Sequence, residues 1–308
     1  LRDLGLDWFT LNLTLNAYAI FILIGIAVAL WLTNRRLVAR GVEPWLVLDV
    51  ALWAVPLGIL GGRLYHVATH PADYFYEGAD LLRIFYVWEG GLAILGAVSL
   101  GAVGAYIGAR SAGLRFSAFA DALAPGLLLA QGIGRTGNYF NQELFGAPTN
   151  LPWGLQIDRP NSAIPVGIPD TTLFHPTFAY EMLWNVLGAL VLIWVGRTLS
   201  LQWGRLFALY LVWYGIGRAF LENIRLDPAE LILGVRVNVW GALAAIALGV
   251  LIYLIQGSRH PGAEPHAYRP GREWEADSGV DSEDDYFSVD DLIEQEDSIA
   301  GPGKTTTS

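Results

Sequence analysis

The sequence predicts an all-α polytopic membrane protein with about seven transmembrane helices, its N-terminus outside and its C-terminus cytoplasmic. Three observations point there. Of 308 residues, 54% are hydrophobic and only 16% charged, too apolar for an ordinary soluble domain of this length. Seven stretches approach the roughly 20 mostly apolar residues that cross a hydrocarbon core. None shows the apolar–polar alternation of a barrel strand, so helices are the form that pairs every backbone group in lipid.

In chain order, the first span is expected at 15–33, followed by Arg35, Arg36 and Arg40 and by no small-residue cleavage site, so it stays in the membrane. The second, 46–62, starts after Trp45 and ends at Arg63. The third, 91–109, follows Trp88; Arg110 and Arg115 separate it from the fourth, 117–134. The fifth, 177–197, begins after His175 and Pro176. Arg197 and Arg205 flank the turn into the sixth, 204–221, which ends in a charged group, and the seventh, 237–256, precedes Arg259. Short arginine-bearing loops belong on the cytoplasmic side. The longer loops 63–90, 135–176 and 222–236 are therefore expected outside. Trp8, Trp45, Trp88 and Trp153 sit where interfacial anchors belong.

The net charge of −10 is uneven. Residues 257–308 hold 4 basic and 13 acidic side chains, while 1–256 hold 15 and 16. Two regions are expected: a membrane domain, 1–256, and a disordered cytoplasmic tail, 257–308, rich in Pro, Gly, Ser and acid. Its SVDDLIEQ segment is short enough to form one or two helical turns on a partner that the sequence does not identify. Cysteine is absent, which excludes disulfides, a thiol nucleophile and a thiolate metal site within the chain. The five histidines have no metal-ligand spacing, and no Walker loop or GxSxG occurs. No metal, cofactor or nucleic-acid partner is expected.

An ionisable side chain at bilayer depth costs about 2.5–3.5 kcal/mol on insertion scales, so each one present should pair, snorkel or line a cavity. Residues 132–146, GIGRTGNYFNQELFG, end a very apolar run with sudden polarity. If the helix continues through them, Arg135, Asn138 and Gln142 share a face at i, i+3 and i+7. A planar guanidinium fork with neighbouring amides suits a lipid phosphate. A lone arginine would more often just snorkel; Asn138, Asn141 and Glu143 beside it argue for a site. The stretch 214–225 sets Arg218, Glu222 and Arg225 on one stripe, which reads either as a structural ion pair or as a carboxylate leaving guanidinium donors for an anion. Tyr18, Arg63 and His175 complete the polar positions near span ends. On this basis alone the chain is a membrane protein with an outward anionic-lipid site. A lipid scramblase would fit as well. A lipid-dependent glycosyltransferase fits less well, because 147–174 offers only Asp158 and Asp170 as acids.

GRTGNYFNQELFG at 134–146 resembles the signature of the bacterial prolipoprotein diacylglyceryl transferases, G-R-x-G-N-[FY]-x-N-x-E-x-[FWY]-G. The likeness extends to Tyr18, Gly62-Arg63, WEGGLAILGA at 88–97, HPTFAYE at 175–181 and GIGRAFLENIR at 215–225, spanning about 15–256. The lysine-poor body and acidic tail look like actinobacterial members. The resemblance implies a seven-span plasma-membrane enzyme acting at the outer leaflet. It would move the sn-1,2-diacylglyceryl group of phosphatidylglycerol to the lipobox cysteine thiol of a preprolipoprotein, releasing glycerol 1-phosphate. By the same resemblance, Arg135, Arg218, Glu143, Glu222 and Tyr18 would be catalytic. Asn138, Asn141, Gly146, Arg225, Arg63 and His175 would join Arg135 and Arg218 in holding phosphatidylglycerol. Glu143 and Glu222 would hold the arginines, one of them also accepting the thiol proton, with His175 as a spare candidate base. Many members carry a histidine where this chain has Leu95, so no base role transfers to that position.

Overall fold

The computed structural model describes residues 3–8, 11–226 and 231–274, with the backbone alone through residue 16. Trp8 as an anchor and the SVDDLIEQ segment fall outside the described side chains and residues respectively. Each expected run forms a helix: α1 (Ala17–Val38), α2 (Val47–Thr69), α3 (Ile94–Ser111), α4 (Phe116–Asn141), α5 (Thr177–Thr198), α6 (Arg205–Glu222) and α7 (Val237–Arg259). Six are long and apolar enough to cross a membrane. The exception, α6, carries Arg205, Arg218 and Glu222 within its 18 residues. Leu52, Ile94, Trp194 and Leu254 lie exposed on outer faces, as lipid-facing side chains do. The chain is an all-α polytopic membrane protein.

Three two-stranded antiparallel ribbons accompany the helices: β1 (Asp3–Trp8) with β2 (Leu11–Asn16), β3 (Pro148–Thr149) with β4 (Leu173–Phe174), and β5 (Leu231–Ile232) with β6 (Val235–Arg236). They are too short or too polar to register as apolar runs. The last two pin the loops on the side of the membrane where α4 and α6 end.

Helix α4 is central. In its most apolar window 56% of residues are buried, against 28% or less in the other spans. Small residues admit its neighbours: a Cβ on Gly126 would meet Ala29 Cα at 3.2 Å, and one on Gly25 would meet Ala130 O at 3.0 Å. Helices α2 and α3 meet backbone to backbone at Gly61 and Gly96, where a Cβ on Gly61 would lie 2.3 Å from Gly96 O. Without a hydrophobic drive between helices in lipid, such close approach supplies the packing that holds them together. Helices α5 and α6 are joined by Trp184 and Trp213, stacked at 4.5 Å. Each indole N–H donates to the other residue's carbonyl, at 3.2 and 3.1 Å. Gly204 precedes α6 and has no side chain to cap it. Asp121 of α4 does so instead, accepting from Gly204 N at 2.8 Å and Phe207 N at 2.9 Å.

The expected break at 256 falls inside α7, and packed chain continues to Trp274. Residues 260–274 lie across the ends of α1, α3, α4 and α6. Glu264, buried, ion-pairs with Arg40 at 2.5 Å and accepts from Ser117 Oγ at 2.9 Å. Arg115 N donates to Ala267 O at 2.9 Å, and Arg269 N to Gly113 O at 2.8 Å. Ala267 and Tyr268 enter the core formed by Leu37, Val47, Ala109 and Leu114. Burial pushes the Tyr268 hydroxyl above the usual tyrosine value, so it stays protonated while accepting from Glu43 N at 3.1 Å. Composition suggested disorder from 257 onward; tertiary contacts hold this part of the segment in place.

Candidate functional site

Five helix termini converge on the side where α4 ends. The last turns of α4 supply Arg135 and Asn138, and α1 begins against them: a Cβ on Gly137 would lie 2.5 Å from Tyr18 Cδ2. Glycine there lets the Tyr18 ring rest on the Arg135–Asn138 turn. The Arg135 guanidinium is held on two sides. Its Nε pairs with the buried carboxylate of Glu181, on the first turns of α5, and its Nη1 donates to Asn138 Oδ1 at 3.4 Å. The expected holder, Glu143, does something else. It stands exposed beyond the helix and accepts from Asn138 Nδ2 at 2.8 Å and Asn141 Nδ2 at 3.2 Å.

Backbone geometry explains how Glu143 is presented. The helix stops at Asn141, and Gln142 and Leu144 both take left-handed conformations, φ 49° and 57°. Such positions cost side-chain-bearing residues about 1–3 kcal/mol and persist only when surrounding contacts hold them. Here they do. Gln142 Nε2 donates to Asp158 Oδ2 at 2.7 Å, while its Oε1 accepts from Asp158 N at 2.7 Å. Its carbonyl accepts from Asn161 at 2.9 Å, and that of Leu144 accepts from Thr177 Oγ1. Gln142 therefore does not share the Arg135 face as continued helix would require; it anchors the loop.

Gly146 is where three segments cross. Its N–H donates to His175 O at 2.8 Å, and it bridges Arg225 in an antiparallel contact. A Cβ would meet His175 Cβ at 2.8 Å, Thr177 Cγ2 at 2.9 Å and Ile224 O at 3.0 Å. Gly146→Ala is therefore expected to destabilise the fold by about 1–3 kcal/mol through overpacking. Thermal denaturation in detergent measures this, and an unchanged midpoint would contradict it. His175 is half-buried, its Nδ1 3.1 Å from Tyr180 OH, and that hydroxyl accepts from Trp153 Nε1 at 2.9 Å.

The second cluster closes the other wall. Glu222 is fully buried at the end of α6. Its Oε2 lies 3.1 Å from Arg218 Nη2 and 3.7 Å from Arg225 Nη1, neither aligned as a hydrogen bond. Its Oε1 accepts from Asn238 Nδ2 at 2.9 Å and lies 3.4 Å from Arg236 Nε. Main-chain bonds join the two clusters: Ala147 N to Ile224 O at 2.8 Å and Leu226 N to Phe145 O at 3.3 Å.

Arg63 stands apart. Its Nε donates to Ile84 O at 2.8 Å, its Nη1 to Gly90 O at 2.7 Å, and its Nη2 to Arg83 O. It is 4% exposed, so the expectation that it donates to lipid is corrected: every nitrogen is committed to shaping the 83–91 loop. Leu95 is 58% exposed on the outer face of α3. Among the described residues no group of three or more His, Asp or Glu is placed to hold a metal.

A family profile described as prolipoprotein diacylglyceryl transferase matches residues 7–255. The chain belongs to that family. The phosphatidylglycerol–prolipoprotein diacylglyceryl transferase of Leifsonia xyli subsp. xyli is 55% identical over 304 residues, covering 93% of this chain and 91% of that protein. Two such proteins of Streptomyces coelicolor are 51% and 50% identical, covering 81% and 88% of this chain and 78% of each relative. Within this family frame, the structure adds three residues that sequence reasoning did not assign: Glu181, Arg236 and Asn238. Glu181 lies inside the quoted HPTFAYE stretch, and a carboxylate one turn into a span was its available signal. Arg236 and Asn238 lie outside every quoted motif and meet Glu222 only because α7 folds back on α6.

Proposed function

We propose that this transferase moves the sn-1,2-diacylglyceryl group of phosphatidylglycerol to the lipobox cysteine thiol of a preprolipoprotein, the first step of bacterial lipoprotein maturation. The site belongs at the outer leaflet of the plasma membrane. The arginines that mark a cytoplasmic face (Arg35, Arg40, Arg110, Arg197, Arg259) lie at the opposite helix ends, which supports that orientation.

The observation that carries the reading is the pairing of two guanidinium groups with buried carboxylates, Arg135 with Glu181 and Arg218 with Glu222, at helix ends joined through Gly146. The substrate sulfur attacks the glyceryl C3 carbon, the C–O bond to phosphorus breaks, and its electrons pass to the phosphate oxygen. Arg135 and Arg218 stabilise the charge growing there, as oriented donors do in a water-poor site. Asn138, Asn141 and Tyr18 position the head group, and Arg225 and Gly146 hold the wall in place. A free thiol has a pKa of about 8.5, so it needs a proton acceptor near neutral pH. Glu143 is exposed and oriented by two amides, whereas Glu222 is sealed from any substrate. The thiol proton therefore goes to Glu143 rather than Glu222, and His175 supports the loop through Tyr180.

The test combines purified full-length protein, phosphatidylglycerol and a lipobox peptide, with released glycerol phosphate as the readout. Lipid movement between leaflets with no glycerol phosphate released would replace the transferase reading with a scramblase. Full turnover of Glu143→Gln at neutral pH would reassign the proton.

A further inference from the structure

At the far end of α4 from Arg135, roughly 30 Å away along the helix at 1.5 Å per residue, lies a cavity of about 260 Å³. It is formed by Tyr106 and Arg110 of α3, Arg115 and Phe116 at the start of α4, and Arg269 and Pro270 of the C-terminal segment. Three arginines line it, and no acidic residue does. Arg115 is fixed: its Nε donates to Tyr268 O at 2.9 Å, and its guanidinium stacks 5.2 Å from the Trp203 ring. Among the described residues its two terminal nitrogens have no protein partner, and neither do the side chains of Arg110 and Arg269. Three arginines around one cavity with no acidic residue in its lining make it a place for an anion. Guanidinium forks suit the two free oxygens of a phosphodiester.

The rim identifies the source of that phosphate. Tyr106 and Phe116 form an edge-to-face pair at 5.6 Å, are 48% and 37% exposed, and lie on the membrane-facing surface of two spans. A tyrosine at this level, with its apolar ring and polar tip, marks the head-group layer, and Phe116 packs against it. The volume is below the roughly 300 Å³ at which drug-sized ligand pockets begin, so it takes a head group and leaves the acyl chains outside in the bilayer.

We infer that this cavity binds the phosphodiester head group of an anionic membrane lipid from the leaflet opposite the candidate active site, with Arg269 and Pro270 as its third wall. It is separate from the transferase site and does not depend on the function proposed for that site.

The test uses the purified full chain in bilayer discs containing phosphatidylserine with a photoreactive acyl chain, a lipid lacking the glycerol head group of the proposed donor. Labelled peptides are mapped by mass spectrometry. Labelling should concentrate between Tyr106 and Phe116. Arg110→Gln and Arg269→Gln should each reduce it about five-fold, the worth of one arginine at an anionic surface. Their side chains have no protein partner among the described residues, so both variants should fold, and thermal denaturation in the same discs verifies it. Excess inorganic phosphate should not change the labelling. Equal labelling by a phosphatidylcholine probe, or labelling unchanged in both variants, would overturn the inference. Displacement by inorganic phosphate would assign the cavity to a soluble phosphate instead. Labelling that emerges only after removal of 275–308 would make the chain's own acidic segment the occupant.

Discussion

Arg135→Lys is expected to slow diacylglyceryl transfer about 100-fold, the lower end of the loss seen when one oriented donor is removed from a charge-stabilising site. Lysine keeps the positive charge but not the fork. In the native site Nε is spent on Glu181 and Nη1 on Asn138, which leaves Nη2 for the lipid phosphate. A lysine ammonium also has three donors, but all on one nitrogen, so it cannot reach a carboxylate, an amide and a phosphate that the guanidinium meets with three separate nitrogens. The loss should fall on turnover more than on lipid affinity, because the donor matters most as the C–O bond breaks. Glycerol phosphate release at saturating phosphatidylglycerol measures it, with size-exclusion and thermal denaturation confirming the fold. Wild-type rates in folded Arg135→Lys would remove Arg135 from the phosphate.

Glu222→Ala is expected to destabilise the protein by about 3–5 kcal/mol, the range for breaking a buried ion pair from one side. The Arg218, Arg225 and Arg236 side chains around Glu222 are only 17%, 5% and 17% exposed. Removing Glu222 takes away the carboxylate they share. It also removes the acceptor for Asn238, which ties α7 to α6. Thermal denaturation in detergent should show a large drop in midpoint, and transfer activity should be lost with it. A wild-type midpoint would mean that the other partners of these arginines suffice. Glu222→Gln, which keeps the shape and the acceptor for Asn238, should lose less stability than Glu222→Ala.

Much of the fold was legible because lipid simplifies the code. Apolar length alone located seven helices, each within a few residues at its start. Their ends were less visible: α2 runs on to Thr69 and α4 to Asn141, past the apolar part of each run. Polar residues extend a helix readily once its backbone bonds are formed and the neighbouring loops pack over them. The charged clusters were also legible, since Arg135, Asn138, Glu143, Arg218 and Glu222 are costly residues at the ends of apolar spans and therefore visible against their surroundings.

The pairings were not legible. Glu143 lies closer to Arg135 in sequence than Glu181 does, and local spacing favoured it. The left-handed turn at Gln142 carries Glu143 out of the helix, while α5 brings Glu181 in. Arg63 resembled a ligand-binding arginine by position, yet the 83–91 loop claims all its nitrogens. The segment 260–274 has a solvated composition but is held by Arg40, Ser117 and Arg115.

The sequence by itself determined the seven long helices and their order, the polar ends of α4 and α6, and the family signature. Each of these depends on residues close together in the chain and on the cost of placing them in lipid. Only the tertiary structure decided which carboxylate holds which arginine, which arginine shapes a loop, and where the packed chain ends. Hydrogen bonds and ion pairs are short-ranged and directional, so their partners depend on how separate helices meet rather than on spacing along one of them.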